Sequence, residues 1–154
     1  MRALKALGLY LAADILCMFI NITFAALHNG LFRAVCAVCT AGIMLALVGN
    51  YALTAAAADE KAGRKFSGAA ADVCGLLAVP AVSWAILLVS MKGGFDFYRW
   101  YKVLNGAFLR VINLIEPDAS SAAVSMADAL AMLPFVLIPA AVYIVVYTVC
   151  RKNR

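Results

Sequence analysis

Charged residues are scarce in this chain of 154 residues: they make up 14% of it, while 66% of the residues are hydrophobic. A soluble domain of this length has nearer a quarter of its residues charged, because water must solvate its surface. Most of the charges also cluster, in residues 1–5, 59–65, 92–110 and 151–154, with long apolar stretches between the clusters. This pattern excludes an ordinary soluble domain and predicts a protein that uses lipid as its solvent.

Histidine is also rare, and the sequence contains no recognisable catalytic motif. His28 is the only histidine, and no group of carboxylates accompanies it, so we expect no metal site. The sequence has no phosphate-binding glycine motif and no Gly-x-Ser-x-Gly. We therefore expect no cofactor, and an enzyme is the less favoured interpretation. The formal net charge of +5 lies at the ends of apolar stretches and does not indicate nucleic-acid binding.

Four apolar segments are each long enough to cross a bilayer, which takes about 20 residues of helix. They cover approximately residues 4–27, 31–58, 69–91 and 127–150. The sequence therefore predicts an all-α integral membrane protein in which residues 1–154 form a single polytopic domain. Residues 59–65 are predicted to form an aqueous loop. The turn at 116–121 should start a helical lead-in to the fourth span, with Ser120 or Ser121 as its cap.

Residues 95–115 differ from the spans because polar and bulky apolar positions alternate there at spacings of three and four, the period of an α-helix. This pattern predicts one amphipathic helix, between spans three and four, that lies in the membrane interface or covers the span ends as a lid. Its expected interfacial anchors are Arg99, Trp100, Tyr101, Lys102 and Arg110.

Lysine and arginine predict the orientation, because they are enriched in cytoplasmic segments. If the N-terminus is cytoplasmic, eight of these residues lie inside and five lie outside. The outer five are Arg33, Lys92, Arg99, Lys102 and Arg110, four of which belong to or adjoin the predicted amphipathic helix. We therefore expect a multi-pass protein of the cell membrane with both termini in the cytoplasm.

Asp14 lies near the middle of the first span, where an ionisable group costs about 2.5–3.5 kcal/mol and should face protein or water. Polar residues follow it at helical spacing on span one, and span two carries a comparable series. The predicted intramembrane polar stripe consists of Asp14, Cys17, Asn21, Cys36, Thr40 and Asn50. It could form a path or ligand site that uses Asp14 as a proton- or cation-binding carboxylate. The alternative is a set of interhelical hydrogen bonds, which are common between packed helices.

Cys36 and Cys39 form a Cys-x-x-Cys pair at the outer end of span two, on one face of the helix. This placement resembles the quinone-reducing disulfide oxidases of the bacterial inner membrane, which are four-span proteins with a membrane-lying helix in their second outer loop. The resemblance implies a thiol–disulfide oxidoreductase that uses Cys36 and Cys39. The chain departs from that family because residues 92–126 contain no second cysteine pair.

Three functional hypotheses follow from these features. The leading one is a small non-enzymatic membrane protein that acts through helix packing, as an accessory or subunit of an assembly with a membrane-protein partner or further copies of itself. The second is a small transporter or channel component that uses Asp14. The third is a thiol–disulfide oxidoreductase that uses Cys36 and Cys39.

Overall fold

A computed structural model describes residues 1–25, 29–63 and 67–152, and all the regular structure in them is helical. Four helices are long and apolar enough to cross a membrane. The helices are α1 (Arg2–Thr23), α2 (Gly30–Lys61), α3 (Ser67–Ser90), α4 (Tyr98–Leu104), α5 (Leu109–Ile115) and α6 (Met126–Lys152), with a 3₁₀ turn at Gly106–Phe108 between α4 and α5.

The four long helices form an antiparallel bundle in which α1 packs against α2 and α3, and α6 packs against the same two helices. One end of the bundle, called here the terminal end, carries the start of α1, the end of α2, the start of α3 and the end of α6. The opposite end, called the loop end, carries the end of α1, the start of α2 and residues 91–125. The five largest fully buried side chains among the described residues are all tyrosines: Tyr10, Tyr98, Tyr101, Tyr143 and Tyr147.

Small residues bring α1 and α3 close together near the terminal end. A β-carbon at Gly75 would overlap the backbone carbonyl of Ala3 and press against Ala6. Backbone cannot move aside as a flexible side chain can, so this crossing requires glycine. The close approach places the first turn of α1 beside the first turns of α3.

The prediction of one continuous helix over 95–115 is wrong. The structure divides this stretch into two helices of seven residues each, and Asn105 between them has a non-helical φ of −130° and ψ of 40°. The segment also enters the bundle from the loop end instead of lying wholly along its surface. Gly106, Ala107 and Phe108 are buried against α1 and α2. The three-and-four periodicity continues across the break, which is why it suggested a single helix.

Two further boundaries differ from the prediction. Asp59 lies not in an aqueous loop but inside α2, 1% exposed, because the helix continues to Lys61 and packs against α1 and α6. The helical lead-in from Ser121 is replaced by turns, and α6 begins at Met126. Its cap is Ser125, whose hydroxyl accepts the Asp128 N–H at 3.2 Å while the Asp128 carboxylate accepts the Ser125 N–H at 2.9 Å.

Candidate functional site

The most concentrated charge in the bundle lies at the terminal end, where Arg2 bridges two buried aspartates. The Arg2 Nη1 atom donates to both carboxylate oxygens of Asp59 at 2.7 Å. Its Nη2 and Nε atoms donate to Asp72 Oδ2 at 2.6 and 3.1 Å. Asp59 and Asp72 are 1% and 0% exposed, so Arg2 supplies a charge that both need in a water-poor place.

Three tyrosines donate further hydrogen bonds to these carboxylates. Tyr51 binds Asp72 Oδ1 at 2.8 Å and Tyr143 binds Asp72 Oδ2 at 2.6 Å, while Tyr147 binds Asp59 Oδ2 at 2.8 Å. The Tyr143 and Tyr147 rings, one helical turn apart on α6, stack with centroids 5.7 Å apart. We call these residues the Arg2 cluster: Arg2, Tyr51, Asp59, Asp72, Tyr143 and Tyr147.

The Arg2 cluster draws on all four long helices, so it fastens them to one another at the terminal end. The sequence analysis missed it because each member has an ordinary local interpretation. Arg2 looks like a flanking positive charge, Asp59 like part of a loop and Asp72 like a residue at a span end. The available signal was the pair Tyr143 and Tyr147 at i and i+4 in an apolar helix, since buried tyrosine hydroxyls require partners.

A second polar cluster surrounds the break between α4 and α5. The carboxylate of Asp14, in the middle of α1, accepts the Ala107 N–H at 3.2 Å. Ala107 belongs to the first turn of the 3₁₀–α5 segment, where backbone N–H groups have no partner within the helix. Asp14 therefore acts as an N-terminal cap supplied by a different helix.

Other side chains satisfy the backbone carbonyls exposed by the same break. The Tyr10 hydroxyl donates to Leu104 O and Asn105 Oδ1, each at 3.3 Å. The Asn21 amide donates to Gly106 O at 2.9 Å, and the Asn105 amide donates to Tyr101 O at 2.9 Å and to the Ser83 hydroxyl at 3.1 Å. We call this set the Asp14 cluster: Tyr10, Asp14, Asn21, Ser83, Asn105, Gly106 and Ala107.

Five members of the predicted polar stripe lie buried between α1 and α2, and the sixth does not. The Cys17 thiol donates to Thr40 O at 3.2 Å, and the Cys36 thiol donates to Asn21 Oδ1 at 3.4 Å. Thr40 donates to its own helix, at Cys36 O, 3.0 Å away. Asn50 instead lies on the exposed side of α2, so the prediction that it continues the buried stripe is wrong.

The Cys-x-x-Cys pair does not present both sulfurs to one environment. Cys36 is buried against Asn21, whereas Cys39 is exposed on the outer side of α2, and both are free thiols. The predicted shared face is therefore wrong, since 60° of helical rotation separates i and i+3 and the bundle edge falls between them.

The predicted interfacial anchors divide into two groups. Arg99 and Trp100 are exposed and Arg110 is partly buried, whereas Tyr101 and Lys102 lie inside the protein, which contradicts their placement as surface anchors. Lys102 Nζ donates to the carbonyls of Glu116, Pro117 and Asp118 at 3.0, 3.3 and 2.5 Å, and burial lowers the pKa of its ammonium group. Lys102 therefore fixes the chain that leaves α5.

Ser121 caps the start of α4 from beyond α5. Its hydroxyl accepts the Phe97 and Tyr98 N–H groups at 2.9 and 3.0 Å. The Asp96 carboxylate accepts from the Ser121 N–H at 2.8 Å and from its hydroxyl at 2.9 Å. These hydrogen bonds lower the pKa of Asp96 below its ordinary value. The two ends of the segment that enters the bundle are thus held together.

The outward side of α2 carries an unusual set of side chains. Cys39, Gly42, Ala46 and Asn50 are exposed and Gly49 is partly so. In chain order the first four positions follow one another at steps of three, four and three, and Asn50 comes directly after Gly49. A β-carbon at Gly42 or Gly49 would meet nothing within 4 Å, so packing within the chain does not require glycine at either position. The Asn50 amide has no hydrogen-bond partner in the part of the chain that the structure describes. We call these five residues the outer α2 face.

Comparisons with protein-family models, curated proteins and solved structures find no match to this chain. Among the described residues there is no group of three or more histidine, cysteine, aspartate or glutamate side chains placed to hold a metal ion. His28 lies outside the described residues. The geometry of the two clusters and the outer α2 face is therefore the basis for a functional proposal.

Proposed function

We propose that this chain is a small non-enzymatic subunit of an assembly in the cell membrane and that it acts through helix packing. We propose further that its outer α2 face pairs with the same face of a second copy. The observation that carries the proposal is the combination, on one exposed helix side, of glycines that nothing in the chain requires and an amide without a partner.

Packing in lipid explains why those residue types belong together. Apolar surface gains little from association there, so helices associate where small residues allow close backbone contact and polar side chains bond across the interface. The steps from Cys39 to Gly42, Ala46 and Gly49 are three, four and three residues. That spacing repeats every 3.5 residues, which keeps one seam of a helix against its partner in a left-handed supercoil.

A second copy is the occupant that best suits Asn50. An amide carries both donors and an acceptor, so two asparagines facing each other across a two-fold axis satisfy one another. Model helices gain about 1–2 kcal/mol from such an interhelical amide contact. A closed dimer would also remove the exposed Asn50 amide from lipid on both chains.

The proposed placement in the membrane has both termini in the cytoplasm. The terminal end carries Arg2, Lys5, Lys61, Arg151 and Lys152, in keeping with the cytoplasmic enrichment of positive residues. On this placement Arg99 and Trp100 face the opposite interface, where tryptophan and arginine anchor well. Cysteines substituted for Ala62 and Phe95, in a chain otherwise free of exposed cysteine, should be labelled from opposite sides by an impermeant maleimide.

The two alternative functions have less geometric support. Asp14 has a structural partner in the Ala107 N–H, so its burial is accounted for without a transported ion. Cys36 and Cys39 face different environments, which does not favour a redox pair. The outer α2 face has no comparable explanation within the chain.

Oxidative crosslinking in native membranes tests the dimer with a thiol that the chain already carries. Cys39 lies on the outer α2 face, and a disulfide forms when two Cα atoms approach within about 7 Å. Mild oxidation should therefore convert the wild-type protein to a covalent dimer, and Cys39→Ser should abolish it.

Cys74 is the matched control, because it is also exposed but lies on α3. The variant Cys74→Ser should crosslink like the wild type. A dimer that depends on Cys74, or no dimer through Cys39, would contradict pairing by the outer α2 face. Crosslinking of Cys39 to a different protein would replace the second copy by a heterologous partner.

A further inference from the structure

A cleft of about 570 Å³ opens at the loop end, between the first turns of α2 and the side of α5. It lies on a different side of α2 from the outer α2 face. Among the described residues that line it, Arg110 alone forms hydrogen bonds to a member of the two polar clusters, Asn21. Two arginines from separate elements line it, Arg33 and Arg110, together with Asn113.

The two arginines differ in how they are held. Arg110 is fixed by Asn21, since its Nε donates to Asn21 Oδ1 at 3.2 Å and its Nη2 donates to Asn21 O at 3.3 Å. The Arg33 side chain is exposed and has no hydrogen bond or ion pair to any residue that the structure describes. A fixed guanidinium beside an available one suits a ligand with several acceptor oxygens.

No carboxylate is among the described residues that line this cleft, so the positive charge there is not neutralised by its own walls. Arg33 also lies in the first turn of α2, where the helix dipole adds to the attraction for an anion. The remaining wall is apolar and includes Ala34, Ala37 and Leu114. The cleft therefore joins an anion-binding rim to a hydrocarbon-like wall.

We infer that this cleft binds the phosphate of an anionic glycerophospholipid, with an acyl chain along its apolar wall. The phosphate group supplies the acceptor oxygens for Arg33 and Arg110, and Asn113 can donate to the same headgroup. The apolar wall favours a lipid over free phosphate, because a free ion would leave that wall in water. This inference does not depend on dimer formation.

Native mass spectrometry of the purified protein in detergent tests the site. The protein is titrated with an equimolar mixture of phosphatidylglycerol and phosphatidylcholine, and the bound lipids are counted. Phosphatidylglycerol should be retained preferentially. Arg33→Gln should weaken that preference about fivefold, the effect of one basic residue beside an anionic headgroup. Arg33 has no structural partner, so its replacement should leave the fold intact.

Arg99→Gln is the matched control, because Arg99 is exposed on α4 outside the cleft. It should leave the lipid preference unchanged, while Arg110→Gln should lower it. Equal retention of the two lipids, or an equal loss in the Arg33 and Arg99 variants, would overturn the proposal. In a separate titration, millimolar inorganic phosphate should not displace the phosphatidylglycerol. Full displacement by phosphate alone would overturn the lipid as the ligand.

Discussion

Asp14 shows how an acid in the middle of a long apolar helix can serve structure. In sequence it is an isolated charge in the middle of a span, and such residues are functional candidates by default. In the bundle its carboxylate accepts the Ala107 N–H at the break between α4 and α5. A buried carboxylate requires a hydrogen-bond donor. Here the donor belongs to a segment more than ninety residues away in the chain.

The capping role of Asp14 predicts different outcomes for two substitutions. Asp14→Asn keeps an acceptor oxygen and should change the free energy of unfolding little. Asp14→Leu leaves a buried N–H without a partner and should cost about 1–3 kcal/mol. Unfolding in mixed micelles with increasing dodecyl sulfate measures both. A large loss for the asparagine variant, equal to that for leucine, would show that the charge itself is needed.

Replacement of Arg2 should lower the free energy of unfolding more than replacement of Asp14. Removing one member of a fully buried ion pair costs about 3–5 kcal/mol, because the remaining charge is left without compensation. Arg2 keeps 24% of its side chain exposed, so Arg2→Met should cost an amount near the lower end of that range. Lys5→Met, on the exposed part of the same helix, is the control and should have little effect in the same unfolding assay. Equal stability of the Arg2 variant and the wild type would show that the bridge is dispensable.

At the scale of elements, the long helices were predictable from sequence and the segment between α3 and α6 was not. Four apolar runs of sufficient length indicate four long helices regardless of their packing. Residues 95–115 depend on partners elsewhere: Ser121 caps α4, Asp14 caps the 3₁₀–α5 segment, and Tyr10 satisfies a carbonyl at the break. Helical periodicity reports on none of these contacts, so it suggested one surface helix.

The prediction for the end of α2 was wrong for a related physical reason. Asp59, Glu60 and Lys61 are three successive charged residues, which in sequence indicate an aqueous loop. In the bundle Asp59 faces Arg2 and Tyr147, so the helix continues and its charge is compensated inside. Only knowledge of the α1 and α6 positions would have revealed those partners.

The crossing of α1 and α3 gives a prediction at this scale. Gly75→Ala places a β-carbon against the backbone of Ala3, which must shift, and should cost about 1–3 kcal/mol. Gly8→Ala is the control, since a β-carbon at that position of α1 meets nothing within 4 Å. Thermal unfolding in detergent compares the two. A stable Gly75 variant would show that the helices are farther apart than described.

The start of α4 should depend on pH through Asp96. Hydrogen bonds from Ser121 lower the folded-state pKa of Asp96 below its ordinary 3.8. A lowered pKa means that the stabilisation is complete above the unfolded-state value and is lost as the pH falls through the folded-state value. Amide exchange at Phe97, Tyr98 and Ser121, corrected for intrinsic rates, should therefore lose protection on acidification below about pH 4.

Asp96→Asn should remove that pH dependence, because the amide does not titrate. If wild-type protection at these three amides stays constant across the same interval, the carboxylate does not hold this turn. The same conclusion would follow if the asparagine variant lost protection in parallel with the wild type.

At the scale of the whole molecule, the buried polar side chains form two clusters that hold the helices together. The Arg2 cluster joins the long helices at the terminal end, and the Asp14 cluster seats the broken segment in the loop-end half. The non-helical backbone at the break is surrounded by protein, and α1 and α3 supply hydrogen-bond partners for its residues. On this view the interior holds the bundle together, and the two proposed binding functions belong to the outward surfaces.

The outer α2 face and the arginine-lined cleft are those outward surfaces, and they lie on different sides of α2. The sequence analysis included Asn50 in the buried stripe, so it gave no reason to look for a surface there. Gly42 and Gly49 became candidates for an interface only when the structure showed that no described residue lies within 4 Å of a β-carbon at either position.

The most direct test of the account is the number of copies in a particle extracted with its native lipids. Native mass spectrometry of polymer-extracted membrane discs should show two copies of the wild-type chain. The double variant Gly42→Ile, Ala46→Ile should show one, because the bulky side chains prevent close approach of the two α2 helices. A single copy of the wild type in those particles, with no other protein bound, would contradict the proposed function.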